Sequence, residues 1–444
     1  MEPREVLSLD DINLSDVAFW DRPYGERDGA FRLLRRERPL AFFEEPELDP
    51  SVALFIPKGP GYWAVTRHAD VSVVSRHPEI FGSGKGATSI QDMPEELLEY
   101  FGSLVNTDDP RHAQLRRIVS AAFSPRTIMR VAERIELLAE KIIDDVAERG
   151  ECDFVLDIAA RLPLEVICDL MGISPSDYKT VLHASNVIVN TTNAAIGAGD
   201  LEYTPDGPDL LTSLLESAQA LTSLVTELAE FRRGTPADDV TSSLVNANID
   251  GESLTPTEVA SFFILLVVAG NDTARNTMSN GLLALSEFPE QRALWKADPE
   301  VIGPTGVEEM VRWCSPIVWM RRTVREPTVL AGEKLEVGDK LLLYYNSANR
   351  DDDVFDHAYE FDARRKPNPH VGFGAIGPHF CLGAPLARIE IDVMFRQLFE
   401  RLPDIESIGE PDRLRSTFIN GIKHLDCAFT PARTRDRSND PERE

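Results

Sequence analysis

Residues 370–388 read HVGFGAIGPHFCLGAPLAR, and two kinds of chemistry compete within them. Gly372, Gly374 and Gly377 spell GxGxxG, the pattern of a loop that cradles a dinucleotide pyrophosphate. Cys381 follows at the mouth of an expected helix and offers a thiolate. A dinucleotide loop must follow a central strand, open directly into a helix and leave room for further crossover units. Here Pro378 and His379 follow the third glycine at once, LysProAsnProHis is a poor central strand, and the chain ends at residue 444.

The cysteine accounts for more of the surrounding pattern. Pro385 suits a first helical turn, and Leu386, Ile389, Val393 and Leu402 continue an apolar stripe. Cys381 thus stands just before a helix N-terminus, where amide N–H groups and the dipole favour the ionised sulfur. The glycines would let backbone approach the sulfur and a flat ligand. A thiolate held in this way is a competent axial ligand for haem iron. On this loop alone other readings stay open, a small buried hydrophobe or a nucleophile activated by His379, whereas zinc through His379 and Cys381 fails for want of two more nearby ligands.

Helical periodicity dominates the elements that must position this loop. Leu210, Leu214, Leu221, Leu224 and Leu228 mark one amphipathic helix. A longer one starts at Thr255, where Thr255, Pro256 and Glu258 form a capping box with proline at the first position, and runs to about Glu287, about 48 Å. Its apolar run breaks at Ala269, Gly270, Asn271, Asp272 and Thr273, which predicts an opened backbone hydrogen bond at a functional site. Strands are short: one from Tyr62, a hairpin of LysLeuGluVal with LysLeuLeuLeuTyrTyr around Gly338-Asp339, and another around Asn420-Gly421.

With 46 basic and 74 acidic residues the net charge is −28, a surface that repels nucleic acid. The 43% hydrophobic fraction is ample for a core. Without a repeat or a Gly/Ser linker, one domain over residues 1–430 is expected, followed by a charged, disordered tail at 431–444. Five scattered cysteines without a CxxC pair argue against a disulfide framework and for a reducing compartment. The acidic N-terminus is no signal peptide, and the apolar run 259–269 falls short of the roughly 20 residues of a membrane span. A soluble cytoplasmic protein without a membrane anchor is expected.

Five stretches, in order and across essentially the whole chain, resemble the cytochrome P450 family of haem-thiolate monooxygenases. Asp109-Pro-Arg-His112-Ala-Gln-Leu-Arg116 is similar to the family's propionate-binding helix, and AlaGlyAsnAspThr at 269–273 to its oxygen-activating stretch. Glu309-Met-Val-Arg312 matches the ExxR pair, Phe361-Asp-Ala-Arg-Arg365 supplies its third member, and the cysteine loop completes the set. That loop has one residue more than the usual FGxGxHxCxG. In this it resembles relatives that oxidise sterol side chains and methyl-branched lipids, as does the stretch from Arg413; terpene-oxidising relatives share SerAlaAsnArgAsp at 347–351.

The resemblance implies a mainly α single-domain P450 fold with small β-sheets, holding haem b (iron protoporphyrin IX) with Cys381 as the iron ligand. It places His112, Arg116, Arg322 and His379 on the propionates, Gly270 and Phe373 at the cofactor, and Glu309, Arg312 and Arg365 in a bracing network. Asp272 and Thr273 become a proton relay to bound O2. Val267, Val268, Ile317, Val318, Trp319 and Phe418 would line an apolar pocket for a small apolar substrate, with a lid at 186–208. Electrons would come from NAD(P)H through a ferredoxin reductase and a ferredoxin, docked near Arg111, Arg117, Arg126, Arg364 and Lys366. The alternatives are a terpene or polycyclic aromatic hydroxylase of the same fold, and a non-catalytic haem sensor, against which Asp272 and Thr273 speak.

Overall fold

Thr255 starts the longest element as its sequence requires. Its Oγ1 accepts from the Glu258 N–H at 3.1 Å, and the Glu258 carboxylate accepts from the Thr255 N–H at 2.9 Å. The resulting central helix, Pro256–Glu287, stops at Phe288 because Pro289 opens the next helix, Pro289–Ala297. Val259, Phe263, Ile264, Val267, Met278, Leu282 and Leu285 are buried in the main core. Around them pack the helices Arg161–Met171, Leu210–Gly234, Pro299–Cys314 and Ala384–Arg401. The central helix is long and apolar enough to cross a membrane, but 56% of its most apolar window is buried within the protein, as in a core helix.

This computed structural model describes residues 2–94, 97–98, 101, 103–123, 125–194, 210–247 and 253–433. Of the expected lid, residues 186–194 belong to the helix Tyr178–Ala194, and 195–208 lie outside the described residues. So do residues 434–444 of the expected tail. The expected break at 269–273 is not formed: the helix is continuous, and Thr273 Oγ1 donates to the Ala269 carbonyl at 2.7 Å. Gly270 is explained by packing, since a Cβ there would collide with Ile167 Cδ1 of the neighbouring helix.

Short strands form a minor layer: β1 (Leu40–Phe43), β2 (Tyr62–Val65), β3 (Phe81–Gly82), β4 (Glu151–Asp153), β5 (Trp319–Val324), β6 (Thr328–Leu330), β7 (Glu333–Leu335), β8 (Lys340–Tyr344), β9 (Glu406–Ser407), β10 (Asp412–Arg413), β11 (Ile422–His424) and β12 (Asp426–Ala428). The largest sheet runs β1-β2-β8-β5-β3, with β2 and β8 parallel. Both expected hairpins pair differently. β7 turns back on β6, whereas β8, beyond Gly338 at φ 98°, lies between β2 and β5, where its five buried residues find a core. Residues 417–419 do not pair with β11; β10 does. Asn420 and Phe418 are drawn instead to the segment before β5, through Asn420 N to Pro316 O at 2.9 Å and Val318 N to Phe418 O at 2.8 Å.

Candidate functional site

The loop before the helix Ala384–Arg401 is built by its own backbone. Gly374, at φ 81°, donates to Val371 O at 2.9 Å, and Cys381 N donates to Phe373 O at 2.9 Å. The sulfur accepts from the N–H groups of Gly383 and Ala384 at the helix entrance. These amides, with Arg116 and Arg388, favour the thiolate, yet burial outweighs them and pushes the thiol above its ordinary value. The lowered value expected from the helix dipole alone is therefore not obtained in the protein chain by itself. Cys381 is still the only one of the five cysteines that keeps some exposure; burial pushes Cys152, Cys168 and Cys314 up to about 12.

The glycines serve this loop differently from one another. A Cβ on Gly372 would meet Val311 Cγ1 at 2.6 Å, and one on Gly377 would collide with the Ser75 carbonyl, so both are required by protein packing. A Cβ on Gly374 would meet only ordinary contacts, His379 O at 3.7 Å and Tyr345 Oη at 4.0 Å, and this glycine supplies the left-handed turn. The loop's additional length is absorbed by Ala375, buried at 6% exposure, and Ile376, which projects outward at 71%.

Four basic side chains converge beside this loop. His112 and Arg116 lie one turn apart on the helix Arg111–Ala122, Arg322 comes from β5, and His379 from the loop itself. The His112 and His379 rings are 4.1 Å apart between centroids. Arg116 Nη2 donates to Phe380 O at 2.6 Å, and Arg322 Nη1 to Arg321 O at 2.8 Å. Asp109 Oδ1 lies 3.6 Å from His112 Nδ1, but among the described residues no carboxylate lies within ion-pair distance of Arg116, Arg322 or His379. His112 Nε2 is buried without a protein partner. Burial, then Arg322, His112 and Arg116, push His379 down to about 2. Burial likewise lowers both arginines.

A second assembly is closed on itself. Glu309 and Arg312, one helical turn apart and both 0% exposed, pair through Nε to Oε2 and Nη2 to Oε1, each at 2.7 Å. Arg365 Nε reaches the same carboxylate at 3.1 and 3.2 Å, and Asp362 N at 2.9 Å. Arg312 Nη1 donates to the Asn349 and Ala358 carbonyls, each at 2.8 Å. Asn349 then uses its side-chain oxygen to hold Val371 N at 2.7 Å, tying the network to the cysteine loop. Sequence reasoning missed this link, although Asn349 lies in the SerAlaAsnArgAsp stretch. It also missed Glu308, which takes Arg388 and His370 and so fixes the helix behind Cys381; Arg388 also stacks 4.6 Å over Phe373.

On the central helix Asp272 is buried, with Oδ1 3.0 Å from Arg275 Nη2 and Oδ2 without a protein partner. Burial raises its pKa, partly offset by Arg275. Thr273 is half-buried.

The sequence profile of the family described as Cytochrome P450 matches residues 100–294 and 305–403. The chain belongs to the cytochrome P450 family. A methyl-branched lipid omega-hydroxylase of Mycobacterium tuberculosis is 46% identical over 434 residues, covering 96% of this chain and 97% of the relative. A steroid C26-monooxygenase of Rhodococcus jostii is 37% identical over 414 residues, covering 92% and 82%. Among solved structures, a Mycobacterium marinum cytochrome P450 in complex with pseudoionone matches with a TM-score of 0.86 at 40% identity, covering 96% of this chain and all of that one.

As a P450, the protein is a haem b monooxygenase that uses O2 and redox partners. The residues present fit that group: a cysteine with two amide donors, and beside it four buried or partly buried basic side chains, three of them with no carboxylate in ion-pair distance among the described residues, which suits two propionates. The expected pocket residues divide. Val267, Val318 and Trp319 are packed into apolar cores, whereas Val268, Ile317 and Phe418 are partly exposed. Trp319 Nε1 donates to Thr417 O at 2.9 Å and its ring meets Phe418 edge-on, so its evident work is to hold the C-terminal loop. Of the expected docking cations, Arg117, Arg364 and Lys366 are exposed and Arg111 pairs with Glu258; the Arg126 side chain lies outside the described residues.

Proposed function

We propose that this P450 hydroxylates a branched apolar lipid or a steroid side chain, over a catalytic domain spanning residues 1–430 with 431–444 as a tail. The observation that carries the site assignment is the convergence of His112, Arg116, Arg322 and His379, buried or partly buried, with no carboxylate among the described residues within ion-pair distance of the last three, beside a partly exposed cysteine. Cys381 would ligate the haem iron, and the four basic groups would take the two propionates. Haem, when bound, supplies reductive activation of O2 and transfer of one oxygen atom to a C–H bond. Asp272 Oδ2 accepts protons from the solvent side, and Thr273 Oγ1 passes them toward the oxygen-binding face. Val268, Ile317 and Phe418 exclude water there.

Electrons arrive from NAD(P)H through a ferredoxin reductase and a ferredoxin in the cytoplasm, docking near Arg117, Arg364 and Lys366. Lys366→Glu is expected to slow reduction by the partner at low salt and to flatten its salt dependence; an unchanged rate refutes the docking face. The site assignment is tested by the reduced protein's absorption with carbon monoxide. Thiolate ligation gives a strongly red-shifted band, and Cys381→Ala must abolish it. The substrate class is tested by titrating the ferric protein with methyl-branched fatty acids, sterols, terpenes and polycyclic aromatics. Tightest binding to an aromatic would overturn the lipid reading.

A further inference from the structure

One face of the central helix is polar where that helix is most deeply buried. Asp272, Asn276 and Asn280 recur at four-residue spacing and are 2%, 0% and 7% exposed. Helix geometry sets the first and last of them about 12 Å apart on one side. Along this row Asp272 Oδ2, Arg275 Nε and Asn276 Nδ2 have no protein partner. Asp272 and Asn276 are accounted for only in part: Arg275 holds Asp272 Oδ1, and Asn276 Oδ1 accepts from Ile422 N at 3.2 Å. Asn280 is met within the protein, its Nδ2 donating to Asn276 O at 2.9 Å and Asn420 O at 3.4 Å and its Oδ1 accepting from Arg413 Nη1 at 3.4 Å. The remaining atoms point to something else. Left dry, each would cost about 1–3 kcal/mol, and buried groups of this kind are ordinarily met by ordered water.

The outer end of the row is open. Asn280 lines a cleft with Tyr24, Glu287, Arg413 and Asn420, whose volume of about 40 Å³ holds roughly three or four waters at ~10–15 Å³ each. Its walls are polar: Arg413 Nη1 donates to Tyr24 Oη at 2.9 Å, and Tyr24 Oη donates to Asn420 Oδ1. Glu287, on the same helix face, is exposed at this mouth.

We propose that the Asp272–Asn276–Asn280 row holds a file of ordered waters running from the Tyr24–Arg413 cleft to Asp272 Oδ2, and that protons consumed in oxygen activation enter by it. The inference rests on the relay reading of Asp272 and adds the source of its protons. Each transfer moves one proton from a water to Asp272 Oδ2, that water is reprotonated by the next one outward, and bulk solvent at the cleft makes up the balance. Asn276 is a positioning residue that acts through water, Asn280, held by Arg413 and Asn420, shapes the outer mouth, and Arg275 keeps Oδ1 occupied so that Oδ2 faces the file.

A high-resolution crystal structure of the haem-loaded protein tests the file directly. Ordered waters at about 2.7–3.2 Å from Asp272 Oδ2 and Asn276 Nδ2, continuing past Asn280, are expected; finding these atoms dry or bonded to protein overturns the proposal. The second arm is Asn280→Leu, which closes the outer end. O2 consumed without product should rise about tenfold, less than the ~10²-fold effect of removing a proton-transfer group outright. Haem reduction and substrate affinity should not change, waters inward of residue 280 should vanish, and Asn280→Ser should restore coupling. Unaltered coupling in Asn280→Leu also overturns the route. The two readings fail separately: full coupling in Thr273→Ala sinks the relay while the waters stand, and missing waters sink the file while Thr273→Ala still uncouples.

Discussion

Two buried assemblies of charge in this P450 follow opposite rules. Around Glu309, every nitrogen of Arg312 has an oxygen partner, and one carboxylate is shared between two guanidinium groups. Around His379, basic groups stand together with no carboxylate among the described residues paired to Arg116, Arg322 or His379, and burial, with those cations, pushes the imidazole down toward its neutral form. The first assembly is complete within the chain and holds the cysteine loop through Asn349. On the proposed haem site, the second is a net cost to the isolated chain that the anionic propionates would repay. Completeness marks a structural network and incompleteness a binding site, even though both use arginine buried beneath the surface.

Breaking the closed assembly should have the largest effect. Glu309→Ala leaves two buried guanidinium groups uncompensated and is expected to lose about 3–5 kcal/mol in denaturant unfolding, with or without haem. Next in size is Glu308, another satisfied carboxylate. Burial pushes its pKa up, but Arg388 and His370 outweigh this and hold it at about 2 instead of 4.5. A depressed acid contributes stability above its unfolded value. The gap between this protein and Glu308→Gln, up to about 3 kcal/mol, should therefore be constant above pH 4.5 and close as the pH falls toward 2. A gap that widens on acidification would contradict the pairing.

The open assembly should answer in the opposite sense. Arg322→Leu should leave the haem-free protein as stable as before, or more so, while weakening haem binding about 10- to 100-fold, as befits charge-assisted bonds of about 1.5–3 kcal/mol. If the haem-free form instead loses several kcal/mol, the cluster is structural and the contrast disappears. The smallest effect belongs to the exposed bidentate pair Arg415–Asp21, where side chains are 47% and 45% accessible. Arg415→Ala should cost less than about 1 kcal/mol.

The residues that would build both assemblies were visible in the chain, because ExxR, the cysteine loop and the His112–Arg116 spacing are local patterns. The central helix was legible down to its capping box. Strand partners were not: β8 has hairpin-like turn chemistry before it, yet five consecutive buried residues belong inside a sheet, and only the packed molecule decides between the two. The ionisation of Cys381 was misjudged because helix polarity can be read from sequence and burial cannot. Val318 and Trp319 were expected at the substrate because apolar side chains look alike in a wall and in a core. Asn349 and Glu308 escaped notice since their partners lie far along the chain.

Gly270 bears on how this enzyme can be altered. Because a Cβ there would meet the end of the Ile167 side chain on the helix Arg161–Met171, a substitution would be felt first at Ile167, which must turn aside, and only afterwards at the substrate. Libraries aimed at new substrates should therefore diversify Val268 and Ala269, whose side chains have room, and keep residue 270 fixed. Variants selected despite a change at 270 are expected to carry a compensating reduction at Ile167.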